Sequence, residues 1–241
     1  MQFQNKSPKH RRKVPPFSTK KQPSISMAVG SSDDENGGVF NLSEDLVQSP
    51  AHKSASTGAI DFAGLLGTPL KLHEDLAKGC GGQLWPAGMV LATYMLRRHR
   101  ESLRDKTMLA LALGCSPLRH PLHITDQEPM LELMRQNIAL NHLDGSVEAS
   151  ILDWGTSTPS NIPSQPDIIL AADCVYFEPA FPLLQQTLKE LVGDSTTVYF
   201  CFKRRRRADL QFIKTARKLF EVKPVDDDPD APIYSRQNIF L

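Results

Sequence analysis

The sequence predicts one α/β domain built on a mostly parallel sheet with helices on both faces. Three observations predict it. Strand and helix patterns alternate from Leu122 to the C-terminus, the run Ile168–Ala172 is apolar throughout, as in a strand buried on both faces, and acidic residues recur where strands end. Ligands on such sheets bind at the carboxyl ends of the strands, so the candidate functional residues are sought there.

The first segment, residues 1–57, is rich in Ser, Pro, Lys, Asp and Gly, with "KHRRKVPP" followed by "SSDDENGG" and no sustained apolar period. Such a composition buries too little apolar surface to offset the entropy of ordering it. A disordered tail is expected over 1–57 and a globular domain over 58–241. The basic cluster Lys9–Lys13 reads as a solvated charge run, with a nuclear-import signal as the alternative. Next, "LKLHEDL" alternates and predicts a short strand or hairpin edge. "LWPAGMVLATYMLRRH" predicts an amphipathic helix in which Met89, Val90, Tyr94 and Leu96 supply the buried stripe. Pro86 suits its first turn, where the missing N–H has no intrahelical partner.

The run "MLALALG" is harder to place. Between a helix ending near Arg100 and a strand entering at Leu122, a doubly wound sheet needs its first strand, a tight turn and a return helix. A parallel crossover alone takes about 10–12 residues, so Thr107–Pro121 holds one element and a loop. Ala-Leu alternation and Gly114 as a helix C-cap favour the return helix. That choice implies a Rossmann-like sheet lacking its first strand and glycine-rich turn.

From there the pattern is regular. "PLHIT" is a strand ending at Asp126, and "EPMLELMRQNIALNHL" a helix with Met130, Leu133, Met134 and Ile138 on its apolar face. "VEASILDW" is a strand, "PDIILAADCVYF" a buried strand running into a loop, and "PAFPLLQQTLKELV" a helix. "TTVYFCF" is a strand, "RRADLQFIKTARKLF" a helix and "IYSRQNIFL" a closing strand.

Composition excludes several function classes. Twenty-eight basic and 27 acidic residues leave a formal net charge of +1, so there is no general attraction to nucleic acid or membrane. No apolar leader and no run of roughly 18 apolar residues occurs, and a cytoplasmic monomer without membrane attachment is expected. Cys80, Cys115, Cys174 and Cys201 show neither CxxC spacing nor a close histidine, and His120 and His123 have nothing nearby to complete a ligand set, so no metal site is expected. The basic run Lys203–Arg207 reads as a solvated rim or a surface for an acidic protein patch; phosphate contact is the alternative.

The strand ends carry the chemistry. Asp126 suits hydrogen bonds from ribose hydroxyls, or else caps the helix that starts at Glu128. Asp153-Trp154 suits a hydrogen bond and a stack on an adenine ring, or else a Trp covering the sheet edge. Ala171 and Ala172 let a ligand approach the strand end. Asp173 and Tyr176 beyond them suit an amine-bearing, cationic substrate, or else are a loop Asp and a packed Tyr.

In "LWPAG", "ITDQEP" with "NIALN", "LDWG" and above all "AADCVYFEPAFPLL", the chain resembles the seven-strand S-adenosylmethionine-dependent protein lysine methyltransferases marked by an Asp-x-x-Tyr motif. "CFKRRRRADLQF" adds a likeness to the fungal type that acts on translation elongation factor 1-alpha. The resemblance covers Leu70 to the C-terminus. It implies S-adenosylmethionine as cofactor, a lysine nitrogen as acceptor and elongation factor 1-alpha as the protein partner. It further implies that Trp85, Asp126, Trp154 and Ala172 line the cofactor pocket, with Asp173 and Tyr176 beside the methyl-transfer site. The family's Leu-Glu-Leu-Gly-x-Gly-x-Gly turn has no counterpart here, and a catalytically silent protein-binding module is therefore the alternative.

Overall fold

The computed structural model describes residues 1–6, 55–111 and 122–241. All of them belong to one compact unit. Its elements, in chain order, are β1 (Gln2–Asn5), β2 (Ser56–Ile60), β3 (Leu70–Glu74), α1 (Pro86–Arg98), β4 (Met108–Leu111), β5 (Leu122–Asp126), α2 (Leu131–Leu140) and β6 (Val147–Ile151). They continue with β7 (Ile168–Ala172), α3 (Phe181–Leu191), β8 (Thr197–Lys203), α4 (Arg207–Leu219), β9 (Phe220–Lys223), α5 (Ala231–Ser235) and β10 (Ile239–Phe240). The main sheet runs β6-β5-β4-β7-β8-β1-β9, and its first five strands are parallel. The expected α/β class and largely parallel sheet are therefore present.

The period-2 alternation of the strands divides the core in two. Met108 and Ala110 of β4, Ile168 and Leu170 of β7, and Tyr199 and Cys201 of β8 join α1, α2 and the β2–β3 hairpin on one face. Leu109 and Leu111, Ile169 and Ala171, and Val198, Phe200 and Phe202 join α3 and α4 on the other. Both faces are covered, which is why β7 carries no polar residue.

The structure corrects three expectations. "MLAL" is a strand and not the return helix: β4 lies at the centre of the sheet, paired in parallel with β5 and β7, and its four residues are completely buried. The first strand is thus present, because a lane between two apolar strands outweighs the helix propensity of Ala and Leu. The rest of "MLALALG" and the proposed Gly114 cap lie outside the described residues. Second, the chain's beginning is ordered. β1 inserts antiparallel between β8 and β9, with Phe3 fully buried and stacked on Phe200 and Phe220 at 5.1 and 6.2 Å. Residues 7–54 of the expected tail, including Lys9–Lys13, lie outside the described residues. Third, "IYSRQNIFL" is the short helix α5 and the two-residue β10, which pairs with Phe202 and Lys203 of β8, while β1 pairs with Val198 and Tyr199. Two short strands from opposite ends of the chain share the edge of β8 that faces away from β7. Among the described residues, no helix is long and apolar enough to cross a membrane.

Candidate active site

The parallel strands β4, β5, β6 and β7 end on the same side of the sheet, and the chain leaves them at Leu111, Asp126, Ile151 and Ala172. The register sets the spacing: Asp126 pairs with Ile151, and Leu111 is flanked by Thr125 and Ala171. Beyond β7 the buried Cys174 donates from its Sγ to Leu111 O and Ala172 O, each at 3.6 Å, fastening the Asp-x-x-Tyr loop over the end of the central strand.

Asp126 caps no helix by its side chain; the 3-10 turn at Glu128 has none. Its Oδ1 accepts from Gln127 N–H at 2.8 Å. Burial raises its pKa first, the Gln127 N–H opposes this, and the neighbouring charge of Asp153 raises it further. Among the described residues no donor reaches its Oδ2, and a carboxylate so placed in a desolvated cleft is suited to hydrogen-bond donors such as a ribose diol. Gly81 leaves room beside it: a Cβ there would lie 3.1 Å from Asp126 Oδ2 and 2.7 Å from Met130 Sδ. A side chain at this position would require the flexible Met130 side chain to shift.

Trp85 is the N-cap residue of α1, with Pro86 in the first turn as the sequence implies. Its Nε1 donates to Cys80 O at 2.8 Å, bracing the indole against the turn that holds Gly81. Ala172, nearly fully buried, faces the other side of α1, where a Cβ on Gly88 would touch its methyl at 4.0 Å. Trp154 is half-buried and packs against the apolar cluster on the α3–α4 face. Its predecessor Asp153 is the residue whose charge acts on Asp126.

Asp173 has φ of 51°, a left-handed conformation that Asp tolerates better than most residues and that turns the chain sharply out of β7. It is only 6% exposed. Its Oδ1 accepts from Lys203 N–H at 2.9 Å and from Arg205 Nη1 at 3.1 Å, and its Oδ2 from Arg205 Nη2 at 3.4 Å. Tyr176 is 40% exposed, so it is reachable from outside. Burial, then the charges of Cys80, Asp126 and Cys174, hold its phenol above the ordinary range. It therefore stays protonated at neutral pH and can donate or accept a hydrogen bond but not serve as a phenolate base.

Sequence reasoning passed over the turn Cys80–Gly82 and Arg205. The glycines of "KGCGGQLW" were the signal for the first. The basic run concealed the second: Arg204 bonds Asn238 Oδ1 and lies over Phe240, Arg205 pairs with Asp173, and Arg206 bonds Tyr176 O and the buried Asp209. These arginines are held by contacts within the chain. No group of three or more possible metal-ligating side chains occurs among the described residues.

A doubly wound sheet with carboxylates and aromatic rings at adjacent strand ends defines an α/β protein that holds a nucleoside-bearing cofactor. The family model described as "Lysine methyltransferase" matches residues 66–219, and the chain belongs to that family of S-adenosylmethionine-dependent enzymes. Among curated relatives, "Protein-lysine N-methyltransferase EFM6" of Saccharomyces cerevisiae is 30% identical over 84% of this chain and 96% of its own length. "Protein N-lysine methyltransferase METTL21A" of Danio rerio is 31% identical over 68% of this chain and 80% of its own length. "EEF1A lysine methyltransferase 3" of Mus musculus is 29% identical over 65% and 72%.

Proposed function

We propose that the chain methylates a lysine side chain of translation elongation factor 1-alpha. The cleft that joins Trp85, Asp126, Asp173 and Tyr176 is the reaction site. The carrying observation is the proximity of a desolvated carboxylate at Asp126 to a reachable, protonated phenol at Tyr176. The choice of elongation factor is supported by the mouse relative, EEF1A lysine methyltransferase 3.

The residues present fit S-adenosylmethionine. Asp126 would accept from its ribose hydroxyls, and the Trp85 and Gly81 turn would wall one side. The cofactor supplies an electrophilic methyl group on a positive sulfur. What remains for the protein is to present a neutral amine. A free lysine has a pKa of about 10.4 and no lone pair while protonated, so its proton must leave to solvent before attack. The Tyr176 hydroxyl would take a hydrogen bond from the amine and aim its lone pair, which is positioning rather than proton abstraction. With both oxygens of Asp173 already accepting, its carboxylate holds the walls of this pocket.

The test is methylation of purified elongation factor 1-alpha by the chain and by Tyr176→Phe and Asp173→Ala. Both variants are expected to lose at least about tenfold in turnover, with Tyr176→Phe keeping cofactor affinity. Undiminished methylation by both would refute the assignment of the site. Methylation of other proteins but not this factor would refute the substrate.

A further inference from the structure

The basic run "KRRRR" contains a residue, Arg205, whose contacts span the two halves of the cleft described above. Arg205 follows β8, and its backbone is pinned: its N–H donates at 2.7 Å to Oδ2 of Asp209, a fully buried residue in the first turn of α4. From that fixed point the side chain reaches across the strand ends. The guanidinium makes a two-armed contact with the Asp173 carboxylate, at 3.1 and 3.4 Å, and its Cζ lies 5.5 Å from the centre of the Trp85 ring. Asp173 belongs to the β7 loop that carries Tyr176. Trp85 belongs to the start of α1 and is bonded to the Cys80 turn that borders Asp126.

We propose that Arg205 is a positioning residue of the methyl-transfer site. It ties the Asp173 carboxylate to the Trp85 ring and so sets the separation between the amine-side and cofactor-side walls. The inference rests on the reading of this cleft as the methyl-transfer site. The chemistry favours arginine: a planar fork matches both carboxylate oxygens while its Cζ stays over the indole, whereas a lysine ammonium would meet one oxygen as a point charge. Asp173 then acts on the reaction through Arg205. Its near-complete burial and its third hydrogen bond, from Lys203 N–H, make it the fixed end of the tether. A shift of about 1 Å in such a wall is enough to cost about a hundredfold in rate.

The experiment compares the full chain with Arg205→Gln and Arg205→Lys. The sequence has two tryptophans, so a Trp154→Phe background makes Trp85 the sole tryptophan emitter under tryptophan-selective excitation. Cofactor affinity and steady-state kinetics are measured with Trp154 in place. For Arg205→Gln the expected result is a changed Trp85 emission, S-adenosylmethionine affinity weaker by about tenfold, and kcat lower by at least as much with the protein-substrate KM little changed. Arg205→Lys should recover part of the kcat but not the Trp85 emission. Circular dichroism and urea midpoints identify any variant that fails to fold, in which case Arg205→Lys alone carries the comparison. Unchanged Trp85 emission and cofactor affinity in a folded Arg205→Gln would overturn the proposal. So would faster turnover, which would make Arg205 an occluding cation. If the unaltered chain proves to have no methyltransferase activity, the functional reading fails, and the emission change still decides whether the tether exists.

Discussion

At the scale of single residues, the cofactor role proposed for Asp126 would set function against stability. Its carboxyl is raised by burial and by Asp153. A carboxyl raised in the native state binds its proton more tightly folded than unfolded. The stability it contributes is therefore full below the unfolded pKa of about 3.9 and is lost as pH rises through the native value. Above that native value the unliganded Asp126 carboxylate is a net liability, which hydrogen-bond donors of a ligand would relieve. Asp126→Asn is expected to raise the melting temperature of the unliganded chain at pH 7 by about 2 °C, with no difference near pH 3. The same variant should bind S-adenosylmethionine at least about tenfold more weakly, since a hydrogen bond to a charged group is lost. Thermal melts at the two pH values and calorimetry check both halves. Asn and Asp chains that melt alike at pH 7, or bind alike, would contradict this account of the site.

At the scale of elements, β1 is the least expected contributor. Four residues of the sequence "QFQN" complete a lane between β8 and β9, and Phe3 fills a fully buried site between Phe200 and Phe220. Phe3→Ala should destabilise the domain by about 3–5 kcal/mol, measurable as a lower urea midpoint at unchanged slope. A loss below about 1 kcal/mol would mean that the lane is not filled by this strand. The same element shows where sequence reasoning stops. β7 was legible because five apolar residues between turns fit only a buried strand, and Pro86 marked the start of α1. β1 was not, because a strand with one apolar residue carries no period, and what orders it is a vacant lane formed by residues about two hundred positions away. β4 was misread for a related reason. A run of Met, Ala and Leu is compatible with helix or strand by propensity, and only its neighbours β5 and β7 decide. The candidate site follows the same division. Asp126, Asp173 and Tyr176 were visible as polar residues where strands end. Arg205 was hidden, because its partner Asp173 is 32 residues away and opposite charges at adjacent strand ends become visible only with the strand order known.

At the scale of the whole molecule, the question is whether the sheet holds its cofactor without the family's glycine-rich turn. With β4 established as a strand, residues 112–121 must join it to β5, its parallel neighbour. Ten residues make this connection, against the about 10–12 at least that a parallel crossover takes. Their sequence holds a single glycine, Gly114, and so no turn of the Gly-x-Gly-x-Gly kind, whose backbone N–H groups closely approach a bound ligand. Under the proposed reading the other walls of the pocket are Asp126, Asp153, the Trp85 turn and the Asp-x-x-Tyr loop fastened by Cys174. We expect the chain to bind S-adenosylmethionine measurably but weakly, and a variant with a glycine-rich turn inserted after Leu111 to bind it at least about tenfold more tightly, the effect of roughly one added charge-assisted hydrogen bond. Calorimetric titration of the two chains side by side is the measurement. Equal affinities would show that the short connection already supplies what the turn would. No binding by the unaltered chain, with recovery in the longer one, would show that the fold has kept its pocket walls while the chain itself has become a silent binding module.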